Sequence, residues 1–181
     1  MNCRTNVISR IKKDMGLDKI IGKDHVLNLS VLGSLSESAL TKNLDIKALN
    51  NGLPNTFVPA RNLVFLTMSA SLAYKRNISN IVGGMCETDY SGYPDCRQST
   101  IKAQQEAISL GLDRDIIIHT PLMHMSKSKS WHFANQIGGQ LLIKIIIEET
   151  HTCYLGERNK LYEWGYGCSE CPACELRKKG F

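Results

Sequence analysis

The stretch Asn80-Ile81-Val82-Gly83-Gly84 decides the fold class of this chain. It predicts a buried strand over 80–83 that ends in two glycines, and amphipathic helices are predicted on either side, over 62–75 and 99–110. A second strand is predicted over 116–119. Strands that alternate with helices predict a parallel sheet covered by helices, whose ligands bind beyond the carboxyl ends of the strands.

The rest of the chain continues this alternation. Helices are predicted over 7–15, 127–137 and 140–149, and a short strand over 25–29. The polar, turn-rich stretch 34–54 is predicted to be a long surface loop. Glycines punctuate the pattern: Gly16 and Gly111 are predicted to end helices, and Gly138-Gly139 to separate two.

Composition predicts a soluble globular protein. The 181 residues are 43% apolar and 22% charged, with a net charge of +5. The longest apolar stretch, 141–147, is too short to span a bilayer, and the N-terminus has no apolar core of a secretory signal. A cytoplasmic, reducing location is therefore expected, without disulfides. The basic run Arg177-Lys178-Lys179 is expected to be a solvated tail rather than a nucleic-acid patch.

Four cysteines near the C-terminus have the spacing of a metal site. Cys168, Cys171 and Cys174 are each separated by two residues, and Cys153 lies upstream. This C-x2-C spacing lets successive thiolates converge on one tetrahedral ion. Disulfides, redox chemistry and an iron–sulfur cluster are the alternatives, but no cluster pattern matches. The favoured interpretation is one structural Zn²⁺ per chain, because four thiolates leave no open position for water.

A polar loop follows the central strand, where such a sheet places its ligand. Its tyrosines can stack on a planar base, and its carboxylates can accept hydrogen bonds from an amino-pyrimidine edge. The candidate substrate-binding residues of the loop are Glu87, Asp89, Tyr90, Tyr93, Asp95 and Arg97. A decorated surface loop is the alternative, and composition alone does not separate the two.

Arg61 is a further candidate, at the start of the helix 62–75 and behind two prolines, Pro54 and Pro59. The helix dipole makes a cation unfavourable at this end unless an anion is close. A phosphate contact is therefore favoured over a plain surface arginine.

Three segments together resemble the 7-cyano-7-deazaguanine synthase family. They are Thr56-Phe57-Val58-Pro59-Ala60-Arg61-Asn62, Cys86-Glu87-Thr88-Asp89-Tyr90-Ser91-Gly92-Tyr93-Pro94-Asp95-Cys96-Arg97, and the cysteine cluster. His119-Thr120-Pro121-Leu122-Met123 and Cys174-Glu175-Leu176-Arg177 also fit the family. The resemblance runs from about residue 50 to the end, roughly three quarters of the chain.

The resemblance implies a Rossmann-like α/β fold of the adenine nucleotide alpha-hydrolase type with a bound zinc. It implies a ligase that converts 7-carboxy-7-deazaguanine and ammonia to the nitrile (preQ0) in queuosine biosynthesis, with ATP and Mg²⁺. The carboxylate is adenylylated, ammonia forms an amide, and a second activation dehydrates the amide. The zinc ligands fall on Cys153, Cys168, Cys171 and Cys174. Catalytic residues stay unassigned.

Two features depart from the family pattern. The loop 154–167, between the first two cysteines of the cluster, is longer than the family leads us to expect. Family members also open with a strand and a Ser-Gly-Gly-x-Asp-Ser loop, whose N–H groups bind the pyrophosphate of ATP. The 181 residues contain no such run, and Gly33-Ser34-Leu35-Ser36-Glu37-Ser38 does not match it. The first strand and phosphate loop are therefore expected to be missing.

These observations predict a single α/β domain over 1–181, incomplete at its N-terminus, with a zinc-binding segment over 150–176. The leading function is the ligase. An inactive remnant, one part of a split enzyme and, less favoured, a zinc-stabilised nucleic-acid-binding module are the alternatives. The expected partners are the ligase substrates, without membrane or direct nucleic-acid contact, and a homodimer is left open.

Overall fold

The computed structural model describes residues 3–50, 52–88 and 92–181. The chain divides into two compact units. The central unit is Asn28–Met125, and the terminal unit combines Met1–Leu27 with Ser126–Phe181. The prediction of one domain over the whole chain stays a prediction.

The central unit is built on a parallel strand pair. Its elements are α2 (Val31–Ser34), α3 (Arg61–Lys75), β1 (Asn80–Val82), a 3-10 turn (Pro94–Cys96), α4 (Gln98–Leu112) and β2 (Ile117–His119). β1 and β2 pair in parallel, with Ile81 opposite Ile118. The predicted α/β class with a parallel sheet and helices is confirmed.

The core of the central unit lies between this strand pair and the helices α3 and α4. Each helix contributes apolar residues at helical spacing, and β2 and the residue before it contribute isoleucines that alternate with exposed positions. The buried cluster consists of Leu66, Ala70, Ile101, Ile108, Ile116, Ile118 and Met123. Burial of this apolar surface is the main stabilising contribution in the unit.

The prediction that β1 is a buried strand is wrong for its outer residues. Asn80 and Val82 are exposed, Val82 to 71%, and Ile117 of β2 is exposed to 46%. Successive side chains of a strand point to opposite faces. Only the face that carries Ile81 and Ile118 packs against the helical core.

Two further predictions are wrong, the end of α4 and the strand at 25–29. Helix α4 continues through Gly111 and ends at Leu112, where Asp113 takes the left-handed conformation with φ of 47°. Residues 25–29 form no strand, because no segment of the described chain pairs with them. The predicted loop 34–54 is largely irregular and contains one isolated bridge, between Ala48 and Pro54.

The terminal unit is helical, with one small hairpin. It contains α1 (Cys3–Asp14), α5 (Lys127–Glu149), β3 (Leu161–Tyr162), β4 (Gly165–Tyr166) and α6 (Pro172–Gly180). Helix α1 packs against α5, and Arg10 pairs with Glu148 and Glu149 at N–O distances of 3.1 and 3.2 Å. Asn6 donates a hydrogen bond to Glu149 at 3.0 Å. Polar side chains therefore fix how α1 lies along α5.

Helix α5 is broken at Gly139, as the Gly138-Gly139 pair predicts. Gly139 has φ of 60° and ψ of −163°, a conformation open to almost no other residue. Ser126 caps the start of the helix by accepting a hydrogen bond from the Lys129 amide at 3.2 Å. Among the residues that the structure describes, neither α5 nor any other helix has the length and apolar character needed to cross a membrane.

We predict opposite responses of two helix glycines to alanine. Gly139→Ala should destabilise the protein by about 1–3 kcal/mol, because it forces a side chain into a strained backbone conformation. Gly111→Ala is the matched control: Gly111 lies in α4 with open space around it, so the change should be neutral or stabilise by up to about 1 kcal/mol. Urea denaturation followed by circular dichroism measures both. Equal stability of the two variants would contradict the assigned break at Gly139.

Candidate metal centre and substrate loop

Four cysteine thiols of the terminal unit converge on one point. Their sulfur atoms all lie within 4.8 Å of one another, and Cys168 Sγ is 3.9 Å from Cys174 Sγ. A tetrahedral zinc with Zn–S bonds of about 2.3 Å requires sulfur atoms about 3.8 Å apart. The four thiols, which include Cys153 and Cys171, therefore have the arrangement of a four-thiolate metal site.

Local backbone structure brings these thiols together. Cys153 follows the end of α5, and Cys168 follows the hairpin β3–β4. Cys171 stands at the N-cap of α6, with Pro172 in the first turn, so Cys174 lies on the same helical turn. Ser169 has φ of 69°, and this left-handed residue turns the chain between Cys168 and the helix.

The surroundings of the thiols favour a bound cation. Burial raises the pKa of the Cys171 and Cys174 thiols, so that neighbouring thiolates without a cation are unfavourable. Burial has the same effect on Cys168, but the amides of Glu170 and Cys171 donate hydrogen bonds to its sulfur, and its pKa falls to about 7. The donor set fits a thiophilic divalent ion such as zinc.

Gly167 is a part of the site that sequence reasoning missed. A Cβ atom at this position would lie 2.5 Å from Cys174 Sγ and 3.1 Å from the Trp164 ring. Only glycine lets the backbone pass this close to the sulfur. The sequence does carry a signal for this role, because Gly167 directly precedes the ligand Cys168.

The long loop 154–167 contains the hairpin β3–β4. Tyr162 and Trp164 stack with ring centroids 4.9 Å apart, and Trp164 is 4% exposed. The hairpin therefore places a buried aromatic side chain beside the metal centre, which the loop prediction did not anticipate.

In the central unit, Asp95 caps a helix. Its Oδ2 atom accepts a hydrogen bond from the Asn62 amide at 2.9 Å, and the residue is 4% exposed. The N-cap residue of α3, Ala60, has no capping side chain. Asp95, although distant in sequence, thus supplies the acceptor and negative charge that a helix N-terminus needs.

Glu87 does the same for the next helix. Its Oε2 atom accepts a hydrogen bond from the Gln98 amide at 3.0 Å, at the start of α4, where the N-cap Arg97 offers no capping side chain. The Glu87 amide donates to the Met123 carbonyl at 2.9 Å. The polar loop is therefore tied to both helices by its own carboxylates.

Tyr93 is buried in the central unit. Its hydroxyl lies 2.6 Å from Thr56 Oγ1, and its ring lies 5.5 Å from that of Phe57. Thr56 is 0% exposed and is a second residue that sequence reasoning missed as part of the site. The first family segment and the polar loop meet at this contact.

The remaining candidates are placed differently. Arg61, the first residue of α3, lies 5.8 Å from the Tyr93 ring centroid, and Arg97 is exposed. Asp89 and Tyr90 lie outside the described residues. Thus the structure brings Arg61, Tyr93 and Asp95 close to the start of α3, and leaves Glu87 and Arg97 exposed beside α4.

Taken together, a parallel α/β unit and a four-thiol centre define the class: an α/β protein with a cysteine cluster that can hold a metal ion. The family model described as queuosine biosynthesis protein QueC matches residues 2–181, and the chain belongs to this family. The family predicted from the three segments is confirmed, and the match extends over the N-terminal residues as well.

Named relatives agree with this membership. The 7-cyano-7-deazaguanine synthase of Burkholderia multivorans is 52% identical to the chain over 183 residues. The synthases of Burkholderia lata and Burkholderia thailandensis are each 51% identical over 182 residues. Every one of these matches covers 100% of this chain and 75% of the relative.

We predict that Cys171→Ser loses the metal. The wild-type chain should hold about one zinc ion, because four thiolates saturate a tetrahedral ion, and three thiolates with a hydroxyl bind it far more weakly. Metal content by mass spectrometry after dialysis measures this. Cys86→Ser is the control, because Cys86 lies in the central unit and should leave the zinc content unchanged. Full zinc occupancy in Cys171→Ser would refute the site.

We predict a structural cost for Asp95→Ala. Loss of the cap and burial of an unpaired Asn62 amide should destabilise the protein by about 1–2 kcal/mol. Asp115→Ala, which removes an exposed aspartate before β2, should change stability by no more than about 0.5 kcal/mol. Urea denaturation compares the two variants. An equal effect would show that Asp95 does not stabilise α3.

Proposed function

We propose that this chain acts in queuosine biosynthesis as the ligase that makes 7-cyano-7-deazaguanine from 7-carboxy-7-deazaguanine, ammonia and ATP. The observation that carries the proposal is its identity of 51% and 52% with 7-cyano-7-deazaguanine synthases along its whole length. An alignment of this extent supports a shared reaction more strongly than fold likeness does.

The proposed chemistry needs two activations by ATP, with Mg²⁺ as its companion ion. A carboxylate oxygen of the substrate attacks the α-phosphorus, and pyrophosphate leaves. Ammonia then displaces AMP from the acyl carbon and gives the amide. A second activation makes the amide oxygen a leaving group, and loss of two protons from nitrogen completes the nitrile. Positioning ATP against the carboxylate lowers the barrier of such a reaction by several kcal/mol, with an upper limit of about 7–11 kcal/mol.

We propose zinc as the ion of the four-thiol centre, with a structural role. Cys153, Cys168, Cys171 and Cys174 would fill its coordination shell, leaving no position for water or substrate. When bound, the ion would hold the hairpin and the start of α6 together. All seven cysteines lie within the described residues and none of them forms a disulfide there, which suits a reducing cytoplasm.

We propose that the substrate base meets the loop 87–97 and Arg61. Glu87 and Arg97 are exposed and open to a ligand, and Asp89 and Tyr90 complete the polar set. Tyr93 and Asp95 are buried, so they would act mainly by holding the loop. Arg61 is the candidate for a phosphate contact, because it carries a cation at a helix N-terminus.

The proposed function is tested by replacement in a relative. The matched region of the Burkholderia multivorans synthase is replaced by these 181 residues, and the chimera is incubated with ATP, Mg²⁺, ammonia and 7-carboxy-7-deazaguanine. We expect nitrile, detected by mass spectrometry, at a rate within about tenfold of the relative, which corresponds to less than about 1.4 kcal/mol of lost transition-state stabilisation.

The isolated 181-residue polypeptide serves as the second arm. We expect it to make no nitrile by itself, because its sequence has no Ser-Gly-Gly-x-Asp-Ser run to bind pyrophosphate. A folded, zinc-loaded chimera without activity would contradict the ligase proposal and favour an inactive remnant. Turnover by the isolated polypeptide would show that another segment binds the phosphates.

A further inference from the structure

Arg177 is buried beside the metal centre, although its place in a basic run predicts a solvated tail. It is 6% exposed, whereas its neighbours on α6, Lys178 and Lys179, are exposed. The prediction is therefore wrong for this residue. Burying a guanidinium costs free energy unless its donors and its charge are both compensated.

The donors of Arg177 are compensated by neutral groups. Nε donates to the Trp164 carbonyl at 2.6 Å, and Nη2 donates to the Ile146 carbonyl at 3.0 Å. Nη1 donates to the hydroxyl oxygens of Thr150 and Thr152, each at 2.8 Å. Within the described residues, the ion pairs of the chain do not include Arg177. Its hydrogen bonds therefore supply no negative charge.

The Trp131 ring lies 5.3 Å from the Arg177 guanidinium carbon and offers a π face but no full charge. The four thiols are the nearby groups that can carry full negative charges. Cys174 precedes Arg177 by one helical turn on α6. Four thiolates around one Zn²⁺ carry a net charge of −2, because four negative charges meet two positive ones. Burial lowers the pKa of the Arg177 guanidinium, while the Cys174 thiolate raises it and Arg158 lowers it. A buried cation and a buried anionic centre thus lie side by side.

The hydrogen bonds of Arg177 also join the chain segments that deliver the ligands. Thr152 directly precedes Cys153, and Thr150 is the C-cap of α5. Trp164 lies in the hairpin that leads to Cys168, and Arg177 follows Cys174 on α6. One guanidinium therefore spans the segments on both sides of the long loop 154–167.

Gly165 provides the space for this side chain. A Cβ atom at Gly165 would lie 2.6 Å from Arg177 Nη2, and the glycine has φ of 117°. The hairpin backbone thus lies closer to the guanidinium than a residue with a side chain would allow.

We propose that Arg177 is a positioning residue of the metal centre, whose charge balances the anionic four-thiolate zinc and whose hydrogen bonds hold the Cys153 segment against α6. The inference rests on the proposed zinc site. Arg158 makes contacts of the same kinds: its guanidinium carbon lies 4.1 Å from the Tyr166 ring centroid, as that of Arg177 lies 5.3 Å from the Trp131 ring centroid, and it donates to backbone carbonyls at the end of α5, including that of Glu148. Unlike Arg177, it has no hydrogen bond to the hairpin among the described contacts. Arg158 is thus mainly a cap of that helix.

The test is a charge series at Arg177, read out by zinc affinity. The whole chain is titrated with zinc against a chromophoric chelator. Arg177→Gln removes the charge and should weaken zinc binding by about tenfold or more, within the range of about 10–100-fold that loss of a supporting residue costs a metal site. Arg177→Lys keeps the charge and should stay within about threefold of wild type, with a lower melting temperature because the planar fork is lost.

Lys178→Gln is the matched control. It removes an equal charge from the next position of α6, where the side chain is exposed, and should leave zinc affinity unchanged. Cobalt substitution provides a second readout: the absorption of a tetrahedral four-thiolate site should be the same in wild type and Arg177→Lys. A purely structural role for Arg177 would lower the melting temperature without separating lysine from glutamine in metal affinity.

The outcomes decide the inference. Wild-type affinity in Arg177→Gln, or equally weak binding by Arg177→Lys and Arg177→Gln, would overturn it. If Arg177→Gln does not fold, the zinc affinity of Arg177→Lys decides. An affinity near that of wild type supports the inference, and a loss of about tenfold or more overturns it. Failure of wild type to bind zinc, with no difference from Cys171→Ser, would instead refute the metal site itself.

Discussion

Four sulfur atoms that come from three stretches of chain have to meet within 4.8 Å, and the fold of the terminal unit follows from this requirement. Cys168, Cys171 and Cys174 meet through local turns, since two residues separate each from the next. Cys153 has to be brought back across the loop 154–167. Closing a loop of that length costs conformational entropy, which the buried contacts around the thiols offset and which metal–thiolate bonds would offset further with an ion bound.

The helices around the centre serve this closure. Helix α6 begins at Pro172, directly after its N-cap Cys171, so its rigid first turn fixes the spacing between the ligands Cys171 and Cys174. Helix α5 ends just before Cys153 at its C-cap Thr150, whose backbone is extended and whose hydroxyl donates to the Ile146 carbonyl at 2.6 Å. The hairpin then brings Trp164, with its backbone carbonyl, to the buried Arg177. Helix α5 thus ends shortly before Cys153, and the hairpin ends shortly before Cys168.

Residue spacing predicted what depends on local geometry and missed what depends on distant partners. The metal site follows from C-x2-C spacing, and the range of α3 from helical periodicity, so both could be predicted. The strand at 25–29 could not be excluded, because its apolar residues indicate β-structure but a strand also needs a partner. The burial of Arg177 was equally hidden, since a basic run gives no sign of the hydroxyls and carbonyls that surround it.

The family segments combine two kinds of residue that a motif cannot separate. Asp95 and Tyr93 belong to the same run as Glu87 and Arg97, yet the first pair is buried and the second exposed. The Asp95 carboxylate holds the start of α3 through the Asn62 amide. A ligand that touched only the exposed residues would still depend on Asp95, because this hydrogen bond ties the loop to α3. Sequence similarity therefore marks the run as a whole, whereas burial separates Tyr93 and Asp95, which hold the loop, from Glu87 and Arg97, whose side chains are exposed. Hydrogen bonding adds that Glu87 also supports the loop, through its bond from the Gln98 amide.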